Sequence, residues 1–464
     1  MPSFYVQNFG CRATQADGAS IERQFEEQGL EHAEAVSQAN IVVLNTCTVT
    51  ASADQDARAA IRRVHRDNPG AQIVVTGCYA QRAPQELAAL PGVDQVIGNS
   101  HKHQLAEIAI RQRGSSNTTF VPLASLRTEN QELGTALFVS DIFAHTELLA
   151  APVFDAPNER TRPNLKVQDG CDNRCSFCVI PSVRGQSRSL KLERVIEEVS
   201  RLVASGYREL VISGINLGRW GRDLGTKVEG LTSLIHTILN HTSLEKLRIS
   251  SVEPMDWSDE LIELVATSPR IAKHAHAPMQ SGSDAVLRRM HRKYRPWHYR
   301  QKILKIHAAM PTAAIGADVM VGFPGETEAE FGETCRMIED LPLTYLHVFT
   351  YSARPGTPAA RMLQQVPVQI ARERNRILRE LGEQKKLEFM RSFVGQAVEA
   401  ITLTGGSEWK GELRSDSESF ETISTEALTD NYLKLRLHGH CAPNQWVRAR
   451  VSHLEGNVLI AAPV

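Results

Sequence analysis

The sequence predicts an α/β protein in three successive parts: an N-terminal parallel α/β sheet domain (residues 1–113), a central partial (β/α) barrel (157–392) and a small all-β barrel (393–464), with a connecting segment at 114–156. Three observations predict it. Near the N-terminus, the apolar runs FYVQNFG, IVVLNT and QIVVTG alternate with polar segments of helical pattern. That is the β-α-β-α-β order of a parallel sheet with right-handed crossovers. Further on come six more runs of strand length, LKVQDG, ELVISGI, KLRISS, HAHAPMQ, IGADVMVGF and YLHVFTY. Between them lie segments such as LKLERVIEEVSRLVASG, with apolar residues at three- and four-residue steps. After Gly395 the pattern changes to the short β runs AVEAITLTG, ESFETIST, YLKLRLHG and NQWVRARVSHLEGNVLIAA, which predict a five-stranded barrel.

Taken in order, ADGASIERQFEEQG, ASADQDARAAIRRVHRDNPG and APQELAAL are the N-terminal helices. Each of the three strands before or between them is followed by a cysteine: Cys11, Cys47 and Cys78. In a parallel sheet the carboxyl ends of the strands lie on one edge, where ligands bind. These three thiols are therefore expected to converge. In the connecting stretch GSSNTTF and APNERTRPN read as loops and ALFVSDIF as a strand, the whole packing across the next domain. Six β/α units in a segment shorter than the roughly 250 residues of a full eight-unit barrel predict an open barrel, with chemistry at the carboxyl ends of its strands. IARERNRILRELGEQKKLEFMRSF closes it as a helix whose alternating charges form a solvated, internally paired face.

Composition bounds the function. A chain of 464 residues holds several domains and a full core. With 42% hydrophobic and 23% charged residues it reads as globular. No apolar run approaches the roughly 20 residues of a membrane span, so no membrane partner is expected. The formal net charge of −1 means that any nucleic-acid site is a local patch. MPSFYVQNFG lacks the apolar core of a secretory signal, and eight cysteines in so long a chain do not make a disulfide framework. The thiols imply a reducing, cytoplasmic setting.

The densest chemistry lies in GCDNRCSFCVIP, with Cys171, Cys175 and Cys178 separated by three residues and then two. Structural zinc sites and electron-carrying clusters take four ligands, and the next cysteine after the three, Cys335, is far along the chain. Three thiolates on a cubane leave one iron open to a small molecule. The triad Cys11, Cys47 and Cys78 suggests a second such cluster. Cys335 and Cys441 belong to no motif and read as small buried hydrophobes.

These motifs carry a resemblance that runs the length of the chain. NTCTVT and GCYAQ resemble the auxiliary-cluster domain of the radical S-adenosylmethionine (SAM) methylthiotransferases, and RTRPNLKVQDGCDNRCSFCVIPSVRG resembles their radical-cluster loop. SGINLGRWG, RISSVEP, HAHAPMQSGSD, VGFPGET and YSARPGTPAA resemble the later barrel motifs, and the β tail resembles the family's RNA-binding TRAM domain. Thr48, Val49 and Thr50 after Cys47, with Tyr79 after Cys78, favour the branch that acts on threonylcarbamoyladenosine next to the tRNA anticodon. The resemblance implies two 4Fe–4S clusters and S-adenosylmethionine as cofactors. It implies tRNA, through its anticodon loop, and a one-electron reductant as partners, with the sulfur donor unidentified. Cys171, Cys175 and Cys178 would hold the cluster that cleaves S-adenosylmethionine, and Cys11, Cys47 and Cys78 the cluster that serves sulfur insertion.

Cofactor contact is expected from Gly214 and Asn216 after the second barrel strand, Ser250 and Glu253 after the third, and His276, Gln280 and Ser281 at the fourth. Asp318 on the fifth strand would orient a neighbour. Gly322, Pro324 and Gly325 read as a turn. Tyr351 and Arg354 end the sixth strand, where the arginine would meet a phosphate or carboxylate. Arg288 to Arg300 is the strongest basic and aromatic patch, read either as a base-stacking surface or as a solvated junction with core aromatics. From Arg391 onward seven Lys and Arg face nine Asp and Glu, so RNA affinity in the tail would rest on one face, such as Lys434, Arg436, Arg448 and Arg450. Other readings are the same chemistry on isopentenyladenosine tRNA or on a ribosomal-protein residue, and a non-catalytic iron–sulfur redox protein with an RNA-binding tail.

Overall fold

The computed structural model describes residues 2–114, 135–144, 161–225, 230–404 and 424–464. The chain forms two units that interleave in sequence. One comprises Met1–Val153, Gln168–Arg188 and Ser352–Ala360, and the other Phe154–Val167, Ser189–Tyr351 and Arg361–Val464.

The first unit is built on a parallel sheet of β1 (Ser3–Asn8), β2 (Glu31–His32), β3 (Ile41–Thr46), β4 (Gln72–Gly77), β5 (Val93–Gly98) and β6 (Ala136–Phe138), in the order β2-β1-β3-β4-β5-β6. β3 is buried at every residue because both of its faces are covered. Val42 and Leu44 pack with Ala57, Ile61 and Val64 of the helix Ala51–Asp67. Ile41 and Val43 pack on the other side with Ile21 and Phe25 of the helix Arg12–Glu27. Burying each such side chain contributes about 1.5–3 kcal/mol. ALFVSDIF departs from expectation. Its strand, Ala136–Phe138, pairs in parallel with β5 and so extends this first sheet, while Ile142 after it does lie against Gly185 of the predicted central segment. The loops read at residues 115–120 and 156–160 lie outside the described residues.

All six expected barrel strands are present: β7 (Asn164–Asp169), β9 (Glu209–Gly214), β10 (Lys246–Ile249), β11 (His274–His276), β12 (Ala314–Val321) and β13 (Tyr345–Thr350). A short extra strand, β8 (Arg188–Ser189), flanks β7. The strands form two sheets, β10-β9-β7-β8 and β11-β12-β13, linked by a parallel bridge from Leu247 to Ile271. The result is an open barrel. The far ends of β7 and β8 run into the Gln168–Arg188 segment of the first unit.

The tail closes into a five-stranded barrel of β14 (Ala397–Thr402), β15 (Ser424–Thr429), β16 (Lys434–His438), β17 (Trp446–Glu455) and β18 (Val458–Pro463) around Ala400, Leu435, Leu437, Ala449, Val451 and Leu459. β15 starts at Ser424, near the end of ESFETIST; the residues before it, with Glu408, Lys410, Glu412, Arg414, Asp416, Glu418 and Glu421 of the charge count, lie outside the described residues. This barrel docks at the amino ends of the central strands. Asn444 Nδ2 donates to the carbonyl of Gly206 before β9 (2.8 Å), and Asn431 Nδ2 to that of Thr312 before β12 (2.9 Å). Between them Arg248 is fully buried. It pairs with Glu209 (2.6 Å), donates to the carbonyls of Thr429 and Asp430, and lies over the Tyr432 ring.

Arg248→Met is therefore expected to lose about 3–5 kcal/mol of stability, because Glu209 remains as a buried charge facing Arg162 at 3.5 Å alone. Denaturant unfolding checks this; a loss under 1 kcal/mol contradicts the docking role.

Candidate active site

β1, β3 and β4 are sheet neighbours, so the segments leaving their carboxyl ends are adjacent, with Cys11 exposed and Cys47 and Cys78 buried. The approach is close. A Cβ on Gly10 (φ +97°) would stand 2.6 Å from the Cβ of Cys47, so only glycine fits before Cys11. Asn99 Nδ2 lies 3.6 Å from the Cys78 sulfur and also donates to the Val183 carbonyl (2.7 Å). Burial first, then the neighbouring thiols of Cys78 and Cys11, push the Cys47 thiol up to about 12. The Cys47 thiol so placed does not ionise unaided. The three sulfurs suit a bound cationic iron centre that takes thiolates as ligands.

The loop after β7 carries the second triad. Cys171 Sγ accepts from the Asn173 amide (3.4 Å) and Cys178 Sγ from the Ile180 amide (3.5 Å), contacts that orient the two sulfurs. The Cys178 amide donates to the Cys175 carbonyl (3.2 Å), a tight turn that keeps the loop short. Its base is fixed by Gly170 (φ +71°), where a Cβ would fall 1.9 Å from the Gln186 carbonyl oxygen. The donor set fits an iron–sulfur cluster. Among the described residues the one set of His, Cys and carboxylate ligand atoms within 4.8 Å of one another is elsewhere, at His276, Asp318 and His347.

A buried ion network joins elements of the two cysteine segments. Arg184, at the end of the helix Ile180–Arg184, holds both oxygens of Asp169 (2.9 and 3.0 Å) and reaches Asp17 in the helix after Cys11 (2.9 Å). Lys102 also pairs with Asp17 (2.9 Å). Burial opposes the charge on Arg184. Asp169, Cys78, Asp17 and Cys11 outweigh it and hold the guanidinium protonated. The sequence offers no local mark for this network, whose partners are 85 and 167 positions apart.

Arg354 is corrected by the same unit. Its side chain is buried, pairs with Asp54 and donates to Thr48 Oγ1 (2.9 Å), so it is not free for a phosphate or substrate carboxylate. Arg82 shares Asp54 and Thr48 with it. β13 ends at Thr350, before both Tyr351 and Arg354.

In the second unit Gly214 ends β9 and Asn216, buried, follows it. Ser250 follows β10, its amide donating to Ile212. Glu253 pairs with the buried Arg292. Gln280 takes φ +63° and bridges to Val319, a strained backbone of the kind found at ligand sites. Ser281 is buried against Thr334 and so supports the turn. Gly322 (φ +72°), Pro324 and Gly325 (φ +74°) do form a turn, held by the Gly322 amide on Glu326 (2.6 Å). Asp318 lies between His276 and His347. Arg288–Arg300 resolves toward the junction reading. Arg288, Arg289, Arg292, Arg295 and Arg300 each meet a carboxylate, Tyr294 and Tyr299 are core residues, and Trp297 is exposed. Cys335 and Cys441 are partly buried, and burial pushes the Cys335 thiol up to about 11.

Residues 3–98 match the uncharacterized protein family UPF0004 and residues 165–338 the radical SAM superfamily. The threonylcarbamoyladenosine tRNA methylthiotransferase MtaB of Bacillus subtilis (strain 168) is 36% identical over 95% of this chain and 91% of its own. The chain belongs to the radical SAM methylthiotransferase family. The MtaB of Aquifex aeolicus (strain VF5) is 34% identical over 96% of this chain and 99% of its own. A tRNA-2-methylthio-N(6)-dimethylallyladenosine synthase of Methylacidiphilum infernorum (isolate V4) is 29% identical over 91% and 87%. The cobalamin- and 4Fe–4S-bound radical SAM methyltransferase TsrM of Kitasatospora setae shares the fold, with a TM-score of 0.55 at 15% identity over 77% of each chain. The enzyme is thus a transferase of the radical SAM superfamily, whose members use S-adenosylmethionine and a 4Fe–4S cluster.

Arg184→Met leaves Asp169 a buried anion without its principal cation and is expected to cost about 3–5 kcal/mol, whereas Arg184→Lys keeps the charge and costs less. Chemical denaturation of the three proteins orders them; equal losses for Met and Lys contradict a charge-based role.

Proposed function

We propose that this enzyme places a methylthio group on carbon 2 of threonylcarbamoyladenosine beside the anticodon of tRNA, in the cytoplasm. The observation that carries the reading is the near end-to-end similarity to relatives named for that activity, at 36% and 34% identity. Thr48, Val49, Thr50 and Tyr79 are in keeping with that branch. The dimethylallyladenosine synthases support a second reading with an apolar substituent, at 29% for the relative above. No helix among the described residues is long and apolar enough to cross a membrane.

In this reading Cys171, Cys175 and Cys178 hold the cluster that binds S-adenosylmethionine, and Cys11, Cys47 and Cys78 hold the auxiliary cluster. When bound, these groups supply the radical and sulfur-transfer chemistry that no side-chain acid or base can perform on an unactivated aromatic C–H. The protein's part is to bind and orient. Gly214, Asn216, Ser250, Glu253 and Gln280, at the carboxyl ends of β9, β10 and β11, line up for the amino-acid and ribose portions of S-adenosylmethionine. Arg292 holds the Glu253 carboxylate in one orientation, which preorganises it for a cationic ammonium. A one-electron reductant is a required partner. Outward-facing Lys434, Arg448 and Arg450 of the tail barrel offer contacts to an RNA backbone, whereas Arg436 lies 3.8 Å from Glu455.

Nucleoside mass spectrometry of tRNA from cells with and without this gene tests the reading. Loss of the methylthio group from threonylcarbamoyladenosine alone is expected. Loss from isopentenyladenosine supports the second reading, and an unchanged profile contradicts both. In purified, anaerobically reconstituted protein, Cys175→Ala is expected to abolish 5′-deoxyadenosine formation and to halve the bound iron. Cys47→Ala is expected to halve the iron as well, yet to retain S-adenosylmethionine cleavage while forming no methylthio product. Loss of cleavage in both variants contradicts the two-site assignment.

A further inference from the structure

The inner faces of β11, β12 and β13 carry a polar cluster that joins His276, expected at the cofactor, and Asp318, expected to orient a neighbour, to His347, which has no role above. The three strands are parallel neighbours in a register that sets Gly316 opposite His276 and Tyr345, and Asp318 opposite His347. Strand alternation then puts Gly316, Asp318 and Met320 on the same face as Tyr345, His347 and Phe349. The other face is packed, with Ala317, Val319 and Val321 buried and Leu346 against Gly382 of the helix Val368–Arg391. The inner face is open: His347 is 55% exposed, Phe349 is 47% exposed and Asp318 is 25% exposed, while His276 is almost fully buried.

Asp318 Oδ1 stands 3.2 Å from Nδ1 of His347 and 3.3 Å from Nε2 of His276. Through these imidazoles the carboxyl group is held well below the usual carboxylate range although burial opposes its charge. The cluster rests on an aromatic floor. Tyr345 lies beside both histidines, and His274 and Tyr432 stack below it. Among the described residues Nε2 of His347 makes no hydrogen bond. The open wall thus presents a fixed carboxylate acceptor, an imidazole with a nitrogen available to a ligand, and the apolar surfaces of Phe349 and Met320.

We infer that this wall receives the N6 substituent of the target nucleoside, with His347 the residue that selects a substituent bearing carboxylate and hydroxyl groups over an apolar alkenyl one. The inference rests on the tRNA substrate proposed above. With Nδ1–H donating to Asp318, Nε2 of a neutral His347 accepts, so the hydroxyl and urea hydrogens of a threonylcarbamoyl group can donate to it and to Asp318. An alkenyl group offers neither. Docking it would desolvate Asp318 and the His347 imidazole without supplying hydrogen bonds in return, and a site built for polar partners discriminates strongly against an analogue that lacks them.

The test uses full-length reconstituted enzyme and anticodon stem-loop RNAs carrying either threonylcarbamoyladenosine or isopentenyladenosine, with methylthio product quantified by mass spectrometry. His347→Phe keeps the ring and removes its nitrogens. It is expected to raise KM for the threonylcarbamoyl RNA by about tenfold to a hundredfold, and to narrow the preference over the isopentenyl RNA by a similar factor. His347→Gln, whose amide restores both a donor and an acceptor, is expected to recover most of that preference. An unchanged preference in His347→Phe overturns the inference. So does an equal loss on both RNAs, because a selecting residue moves one and not the other. About one equivalent of a non-iron metal in wild type that is missing from His347→Phe also overturns it, in favour of a metal site at His276, Asp318 and His347. Wild-type enzyme that ignores the threonylcarbamoyl RNA and modifies the isopentenyl RNA sinks the substrate reading itself, and the inference with it.

Discussion

Much of the first unit depends on one buried cation, the guanidinium of Arg184, held between Asp169 and Asp17. Arg184 closes the cysteine loop that follows β7, and Asp17 belongs to the helix that follows Cys11. The pairing therefore fixes segments of the two cysteine triads against one another. With Lys102 added, the network balances two cations against two anions, which makes its burial tolerable. Its chemistry also matters to the sulfurs. Arg184 is among the influences that lower the Cys47 thiol, against burial and two like neighbours that raise it. A fixed positive group beside ligand thiols stabilises their anionic form before and during cluster assembly.

The second unit repeats the device at its own loops. Arg248, Arg292 and Arg374 are buried and each holds a carboxylate: Glu209, Glu253 and Glu326. Glu326 in turn accepts from the Gly322 amide and so sets the turn after β12. Bidentate and multidentate guanidinium contacts suit this task because the planar fork fixes direction as well as distance. The tail barrel, anchored under the amino ends of the strands, seals the floor of the open barrel with Tyr432 and leaves the carboxyl ends free for chemistry.

Local pattern made the strands and the fold class legible. IVVLNT is apolar because both faces of a central parallel strand are covered, and the runs of β9 and β10 are largely apolar for the same reason. The adjacency of Cys11, Cys47 and Cys78 at one sheet edge follows from the strand-then-cysteine rhythm, which is also local. Long-range pairing was not legible. Arg354 looked like a free cation at a strand end, and its partner Asp54 lies 300 positions away. Arg288 to Arg300 leaves a base-stacking surface and a solvated junction both open in the sequence, which shows the arginines and hides Glu253, Glu330 and Asp340, which neutralise them. ALFVSDIF carried a strand signal but no indication of which sheet it joins, since an edge strand needs only one neighbour. His347 drew no notice because a lone histidine in a β run has no signature; its meaning comes from the register that sets it opposite Asp318.

That internal use of arginine bears on how such an enzyme would recognise RNA. A chain of net charge −1, with its most conspicuous arginine cluster paired to carboxylates, projects a weak attractive field. Few phosphate contacts mean little affinity from counterion release, so less of the recognition can come from the backbone and more must come from the modified base itself. A base must leave its stack to be modified, and it is then read by the groups lining its pocket. The wall formed by His276, Asp318 and His347 is polar, partly open and set on three rigid strands. Selection at such a wall depends on satisfying or abandoning fixed hydrogen-bonding groups, so its discrimination does not scale with overall charge. A near-neutral protein can therefore remain selective for one modified nucleoside among many RNAs of similar backbone.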